Sequence, residues 1–261
     1  MKLSLCLEML FTDLPFVERL DVASRLGYGA IEFWDWRDKD LPALSGAAAR
    51  LGLTVAAMSG NRRHALIDRA AVAGLMEEMD QVFEAAAQLN CRRIMMLSDV
   101  LNDDGSAAPA QPHSAKEKTE SMVENLLALA LRAEAGGFTL LLEPLNTVLD
   151  HRGCFLNDSG SGVEIVRRVD SPSVRLLYDI YHMSMMGEDV LKAIETNLEW
   201  IGYLHVADLP GRHQPGTGKI DYRAVNALLS RVKYQGFIGM EFSPLGSDEQ
   251  AARTPLEVFY G

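Results

Sequence analysis

The chain has 261 residues, 48% of them hydrophobic, and a formal net charge of −11. A chain of this size can bury a large core, as one domain or as two small ones. The acidic balance disfavours a nucleic-acid partner, because such binding sites need clustered Lys and Arg. The three cysteines have no CxxC spacing, which disfavours zinc knuckles and disulfides. No apolar run approaches the ~20 residues of a membrane span. We therefore expect a cytoplasmic protein with no membrane partner.

Short apolar runs alternate along the chain with segments whose apolar residues recur at helical spacing. In chain order, the predicted strands are Leu3–Leu7, Ala30–Phe33, Leu53–Met58, Arg93–Leu97, Phe138–Leu142, Val174–Tyr178, Ile201–Val206 and Phe237–Glu241. The predicted helices are Leu14–Leu26, Leu41–Leu51, Asp68–Leu89, Ser114–Ala135, a segment from about Asp158 to Arg168, Glu188–Leu198, Tyr222–Val232 and a short C-terminal helix. Asn102–Pro112 and Leu209–Gly218 are rich in loop-forming residues and are predicted to be irregular.

Eight strands alternating with eight helices predict parallel strands joined by crossover helices. Eight such units in a chain of about 260 residues match the size of a closed (β/α)8 TIM barrel. The alternative, a doubly wound open sheet, usually has a Gly-rich turn after its first strand, whereas Glu8–Phe11 contains no glycine. The chain also has no low-complexity linker. We therefore predict that residues 1–261 form a single-domain α/β TIM barrel.

Four consecutive predicted strands, the fifth to the eighth, end in a side chain that can bind a metal: Glu143, Asp179, His205 and Glu241. The carboxyl ends of all barrel strands meet at one mouth, so these side chains are expected to lie close together. Three converging carboxylates repel one another unless a cation is present. Each residue alone is more often a loop charge or a helix cap, but the coincidence at four strand ends predicts a metal site. Oxygen and imidazole ligands suit Mg²⁺, Mn²⁺ or Co²⁺.

The segments LLLEPLN, LLYDIYHMSMMGED, LHVADLPGRHQPGTGKIDY and GMEFSP resemble the hydroxypyruvate isomerase family, which lies among the xylose isomerase-like and sugar epimerase-like TIM barrels. The resemblance is dense over residues 138–244 and looser before them. It implies an intramolecular oxidoreductase of the aldose–ketose type, in which Glu143 and Glu241 bind the metal and exchange a substrate proton. Asp179 and His205 then complete the coordination. The chemistry agrees, because moving a carbonyl requires proton removal and return, with a metal stabilising the enediolate.

Three further residues are candidates for substrate binding. His182 resembles the family's ligand to a substrate oxygen, although its spacing fits a histidine bonded to a loop carbonyl equally well. Arg212 can clamp a carboxylate or hydroxyl by bidentate hydrogen bonds, or can be a solvated loop arginine. Trp34 follows the second strand and can form an aromatic wall of the pocket, or pack against neighbouring loops.

The sequence thus predicts a metal-dependent isomerase of a small hydroxy-keto acid, with hydroxypyruvate to tartronate semialdehyde as the named reaction. The alternatives are a ketose 3-epimerase, another enediolate enzyme such as a keto-acid decarboxylase, a non-catalytic sugar-binding barrel, and an endonuclease-like barrel. The acidic charge and the single histidine among the ligands disfavour the last. EFWDWRDKD and SGNRRHALID depart from the best-known family members, so the substrate stays open. Apolar residues of Met183–Met186 indicate either a homo-oligomer contact or helix packing.

Overall fold

A computed structural model describes all residues from Met1 to Gly261. Eight parallel strands close into a barrel in chain order. They are β1 (Lys2–Cys6), β2 (Ala30–Phe33), β3 (Thr54–Ser59), β4 (Arg93–Met96), β5 (Thr139–Leu142), β6 (Val174–Asp179), β7 (Ile201–Val206) and β8 (Phe237–Met240). The last strand pairs with the first, with Leu3 opposite Ile238. The barrel prediction is confirmed, and the open-sheet alternative is wrong.

Nine α-helices surround the barrel. They are α1 (Phe16–Leu26), α2 (Leu41–Leu51), α3 (Val72–Gln88), α4 (Ala115–Gly136), α5 (Ser159–Val169), α6 (Ile180–Met185), α7 (Val190–Asn197), α8 (Tyr222–Arg231) and α9 (Asp248–Tyr260), with 3-10 turns at Arg69–Ala71 and Leu198–Trp200. Most buried apolar side chains belong to one layer between strands and helices, and a smaller cluster of eight fills the barrel interior.

The predicted strands agree with the observed ones to within one residue at each end. The short helix α6 was missed because it follows β6 without a break. Its cap is Asp179 itself, whose Oδ1 accepts the backbone N–H groups of Tyr181 and His182. The C-terminal helix is also longer than predicted, at 13 residues. Met183 of α6 is fully buried, and Met185 and the capping residue Met186 pack against the core, so helix packing is observed there. A homo-oligomer stays a prediction.

The irregular loop predicted after β7 is tightly folded around one carboxylate. Asp208 accepts backbone N–H groups from Leu209, Gly216, Gly218 and Ile220. A Cβ on Gly218 would lie only 2.2 Å from the carbonyl oxygen of Leu209, so a side chain there does not fit. This loop carries Arg212 over the barrel mouth, where parallel strands bring the ends of β5 to β8 together.

Candidate metal centre and substrate pocket

The four predicted ligands converge at the carboxyl ends of their strands. One ligand atom from each of Glu143, Asp179, His205 and Glu241 lies within 4.8 Å of the others. Glu143 and Glu241 are each 6% exposed, whereas Asp179 is 1% and His205 0% exposed. The strand register supports this convergence, since Asp179 of β6 lies opposite His205 of β7. The predicted ligand set therefore forms one buried cluster.

The atoms of this cluster fit a divalent cation. Glu143 Oε1 and His205 Nδ1 are buried and have no hydrogen-bond partner, although nearly all buried polar atoms in native proteins have one. His205 Nδ1 lies 3.4 Å from Glu143 Oε1 and 3.5 Å from Glu241 Oε2. Three carboxylates and one imidazole nitrogen suit an ion of the Mg²⁺, Mn²⁺ or Co²⁺ type. These unpartnered atoms, facing one another, are what a metal would satisfy.

Burial shifts the acidity of two carboxylates in the cluster. It raises the pKa of Asp179 to about 7, and the negative charge of Glu143 adds to this shift. Burial is also the largest cause that raises the pKa of Glu143, with Glu241 adding to it. Without a cation, both groups therefore hold protons more tightly than exposed carboxylates do.

Neighbouring charges outweigh burial at the other two ligands. Burial disfavours the protonated form of His205 and so lowers its pKa. The negative charges of Glu32 and Glu241 outweigh burial and raise that pKa well above the usual value. Burial also opposes ionisation of Glu241, but the positive charges of His205 and Arg212 and a hydrogen bond from Trp34 lower its pKa. Glu241 is thus the carboxylate of the cluster most strongly held in its ionised form.

A cavity of about 470 Å³ opens above the cluster. Glu143 and Glu241 lie in its wall, whereas Asp179 and His205 are buried beneath it. A substrate in this cavity therefore meets the two carboxylates that the sequence predicts as proton carriers. The cavity also contains all three predicted substrate-binding residues, Trp34, His182 and Arg212.

Trp34 and Arg212 both contact Glu241. The indole Nε1 of Trp34 donates to Glu241 Oε1 at 2.7 Å, and Nη2 of Arg212 donates to Glu241 Oε2. The guanidinium of Arg212 also lies over the ring of Tyr181, 5.5 Å from its centre. Both oxygens of Glu241 are therefore oriented by the protein. The sequence predicted an aromatic wall at Trp34 but gave no indication of this hydrogen bond.

His182 lines the cavity, and its Nε2 has no hydrogen-bond partner, with Asp179 Oδ2 3.6 Å away. Asn146 Oδ1 accepts the backbone N–H groups of Leu149 and Asp150, which directs its amide group toward His182 Nδ1 at 2.7 Å. Because Nδ1 accepts this bond, the proton of the neutral ring lies on Nε2, which is buried without a partner. Burial, followed by the charge of Arg212, lowers the pKa of His182 well below its usual value. His182 is thus a neutral donor.

Four residues of the site escaped the sequence analysis: Glu32, Arg62, Asn146 and His151. Arg62 and His151 line the cavity, and the His151 ring packs edge-on against that of His182. Both lie in loops, where no periodic pattern distinguishes them. Glu32 offered one indication, because it is a charge inside the apolar strand AIEF. In the structure it lies 3.1 Å from Nε2 of His205.

Known proteins with similar sequences identify the family. A family model described as xylose isomerase-like TIM barrel matches residues 20–260. The chain belongs to the xylose isomerase-like TIM-barrel family. Within this family, the hydroxypyruvate isomerase of Escherichia coli K12 is 27% identical to it over 97% of each chain. The 2-oxo-tetronate isomerase of Pectobacterium atrosepticum is 27% identical over 93% of this chain and 92% of its own. A Danio rerio protein with a provisional hydroxypyruvate isomerase name is 30% identical, covering 92% and 89%.

Solved structures with the same fold superpose on the whole barrel. An AP endonuclease of family 2 from Brucella melitensis has a TM-score of 0.87 and 25% identity, with 96% of each chain covered. A 3-keto-D-glucoside 4-epimerase from E. coli has a TM-score of 0.83 and 22% identity over 100% of this chain and 99% of its own. The second likeness shows the fold alone. The resemblance to hydroxypyruvate isomerases that the motifs predict is confirmed, and no helix has the length and apolar character needed to cross a membrane.

Proposed function

We propose that this protein is a metal-dependent isomerase that moves a carbonyl group within a small hydroxy-keto acid. Hydroxypyruvate to tartronate semialdehyde is the reaction to test first. The observation that carries the proposal is the position of Glu143 and Glu241, two carboxylates of the cluster that both line one cavity. The relatives named as hydroxypyruvate and 2-oxo-tetronate isomerases support the same reaction class.

The proposed mechanism assigns proton transfer to Glu143 and Glu241, the two carboxylates that line the cavity. Glu143, Asp179, His205 and Glu241 would hold a divalent metal that polarises the substrate carbonyl. One carboxylate removes a proton from C3 of hydroxypyruvate, and the other returns a proton to C2 from the opposite side. The hydroxyl proton on C3 moves to the former carbonyl oxygen, and the two carboxylates exchange the net proton with solvent. Both carboxylates line the cavity, so either of them can take the first proton.

Three donors around the cavity would orient the substrate. The Nε2–H of His182, which has no hydrogen-bond partner in a residue that lines the cavity, would donate to a substrate oxygen. Arg212 is already engaged by Glu241, so it holds that carboxylate and offers its other N–H groups to a hydroxyl or carboxylate. Arg62 is the second arginine of the cavity. Its guanidinium makes one ion pair, with Asp35 at 3.5 Å, and is 43% exposed, so we assign it to the substrate carboxylate.

The test is turnover by the purified protein with Mg²⁺ or Mn²⁺, with hydroxypyruvate, four-carbon 2-keto acids and neutral ketoses as substrates. We expect metal-dependent isomerisation of a keto acid, and a loss of at least about a hundredfold in kcat for Glu143→Gln, because general acid–base catalysis contributes on that order. Glu257→Gln, an exposed helix position, is the control and should keep full activity. Full activity of Glu143→Gln would contradict the mechanism, and turnover of ketoses alone would contradict the substrate.

An epimerase would use the same residues, because it also removes and returns a proton next to a carbonyl. The structural neighbour from E. coli that is a 3-keto-D-glucoside 4-epimerase has the same barrel. The stereochemistry of the product separates the two activities. The Brucella melitensis AP endonuclease makes a DNA-cutting activity a further alternative. The net charge of −11 and the single histidine in the cluster disfavour it, and a titration with duplex DNA containing an abasic site tests it.

A further inference from the structure

Glu32 is a fully buried carboxylate outside the metal-binding cluster. It lies within β2 and is 0% exposed. An unpaired charge in such a place is strongly unfavourable, so its contacts indicate why a carboxylate is present. Its Oε1 lies 3.1 Å from Nε2 of His205, and its Oε2 accepts the hydroxyl of Tyr203. Both partners come from β7, the strand that supplies the histidine of the cluster.

His205 connects Glu32 to the cluster through opposite sides of one ring. Nδ1 faces Glu143 and Glu241, and Nε2 faces Glu32. A nitrogen that binds a metal presents a lone pair, so the proton of the neutral ring must lie on the other nitrogen. A carboxylate beside Nε2 favours that tautomer and makes Nδ1 a better ligand. Neither Glu32 Oε1 nor His205 Nε2 has another hydrogen-bond partner, so each atom is available to the other across this 3.1 Å contact.

Strand β8 leaves space for this pair. A Cβ on Gly239 would lie 2.5 Å from both carboxylate oxygens of Glu32 and 2.5 Å from Cδ2 of His205. The backbone at Gly239 is an ordinary strand, so its lack of a side chain is explained by this close approach. Three strands, β2, β7 and β8, are therefore fitted to one another around the contact between Glu32 and His205.

We propose that Glu32, held by Tyr203, is a positioning residue that fixes His205 in the tautomer and orientation that bind the metal through Nδ1. This inference rests on the metal site of the proposed function and is independent of its substrate. Carboxylate partners of metal-binding histidines contribute about 10-fold to 100-fold in metal affinity. Glu32 therefore acts on the reaction through His205 and not by contact with the substrate.

The test compares Glu32→Gln with a buried control. Calorimetric titration of the metal-free full chain with Co²⁺ at one fixed pH gives the dissociation constant, and thermal unfolding gives the melting temperature. Glu78 is a second buried glutamate, 1% exposed, which accepts backbone N–H groups of Arg62, Arg63 and His64 and makes no contact with the cluster. We expect Glu32→Gln to weaken Co²⁺ binding about 10-fold to 100-fold. Glu78→Gln should lower the melting temperature but leave the dissociation constant within about twofold.

A second measurement reports the tautomer directly. In the Zn²⁺-loaded protein, ¹⁵N NMR should show the ring proton of His205 on Nε2. In Glu32→Gln the population of this tautomer should be lower. If Glu32→Gln does not fold, Tyr203→Phe is used in its place, because this substitution removes only the hydroxyl that holds Glu32. We expect Tyr203→Phe to weaken Co²⁺ binding by about threefold to tenfold. Unchanged Co²⁺ affinity in the folded variant, or equal weakening in Glu78→Gln, overturns the proposal. If the unsubstituted protein binds Co²⁺ but isomerises no keto acid, that result contradicts the proposed reaction and leaves this test of Glu32 unchanged.

Discussion

Trp34→Phe removes one hydrogen bond to a proposed proton carrier and keeps the aromatic wall of the cavity. The lost bond runs from the indole Nε1 to Glu241 Oε1 at 2.7 Å. A hydrogen bond to a charged group is worth about 1.5–3 kcal/mol, which corresponds to about tenfold to a hundredfold in rate. Arg212 still holds the other oxygen of Glu241, so the lower part of that range is expected.

The same substitution should also change the pH dependence of the reaction. The bond from Trp34 is one of the causes that lower the pKa of Glu241, so its loss raises that pKa. The ionised carboxylate then forms at higher pH, and the acid limb of the kcat profile should move upward by up to about one pH unit. Steady-state kinetics from pH 5 to 9 with saturating Mg²⁺ measure both effects.

Trp36→Phe is the matched control for this experiment. Trp36 follows the same strand and packs against the core, but its indole nitrogen has no hydrogen-bond partner. Its substitution should leave kcat and the acid limb unchanged. If Trp34→Phe behaves like this control, the idea that Trp34 orients Glu241 is refuted.

Three further predictions follow from the cavity and its cluster. Arg62→Gln should lower kcat/KM for a keto acid by about tenfold or more, because a charge-assisted hydrogen bond to the substrate carboxylate is lost. The kcat/KM for neutral ketoses should not change. Equal losses for both substrate classes would show that Arg62 does not recognise the carboxylate. Mn²⁺ should raise the melting temperature more at pH 8 than at pH 6. The pKa of Asp179 is raised to about 7 and that of His205 is raised as well, so at the lower pH the metal must displace protons from its ligands. A larger rise at pH 6 in scanning calorimetry would contradict this prediction. Gly239→Ala should destabilise the protein by about 1–3 kcal/mol in urea unfolding and weaken Co²⁺ binding, because the added Cβ overlaps Glu32 and His205. An unchanged urea midpoint would contradict this prediction, since it would show that the strands move apart without cost.

The fold and the four cluster residues could be predicted because each lies at a place that the sequence marks. Glu143 ends an apolar run, where a charge lies at the edge of the core. The same reasoning applied at Asp179, His205 and Glu241, so a parallel barrel was enough to bring them together. Helix α6 could not be found in this way, since no turn residue separates it from β6.

Contacts between distant residues were not predictable from any pattern. Tyr203 donates to Glu32 across 171 positions of the chain, and the charge within β2 gives no indication of that partner. The tautomer of His182 depends on Asn146, whose orientation is set by two loop N–H groups. Arg62 reaches the cavity because the buried Glu78 binds the backbone of its loop. Each of these features needs the three-dimensional arrangement of loops whose sequences carry no periodicity.

Proton NMR of hydroxypyruvate in D₂O with the Mg²⁺-loaded protein tests the central claim most directly, because it follows the substrate, the metal and the transferred proton together. We predict that tartronate semialdehyde forms only with the metal and carries deuterium at C2. This conversion should be absent with Glu143→Gln and present with Glu257→Gln. Conversion that needs no metal, or a product that retains hydrogen at C2 at all times, would contradict proton transfer by the two carboxylates.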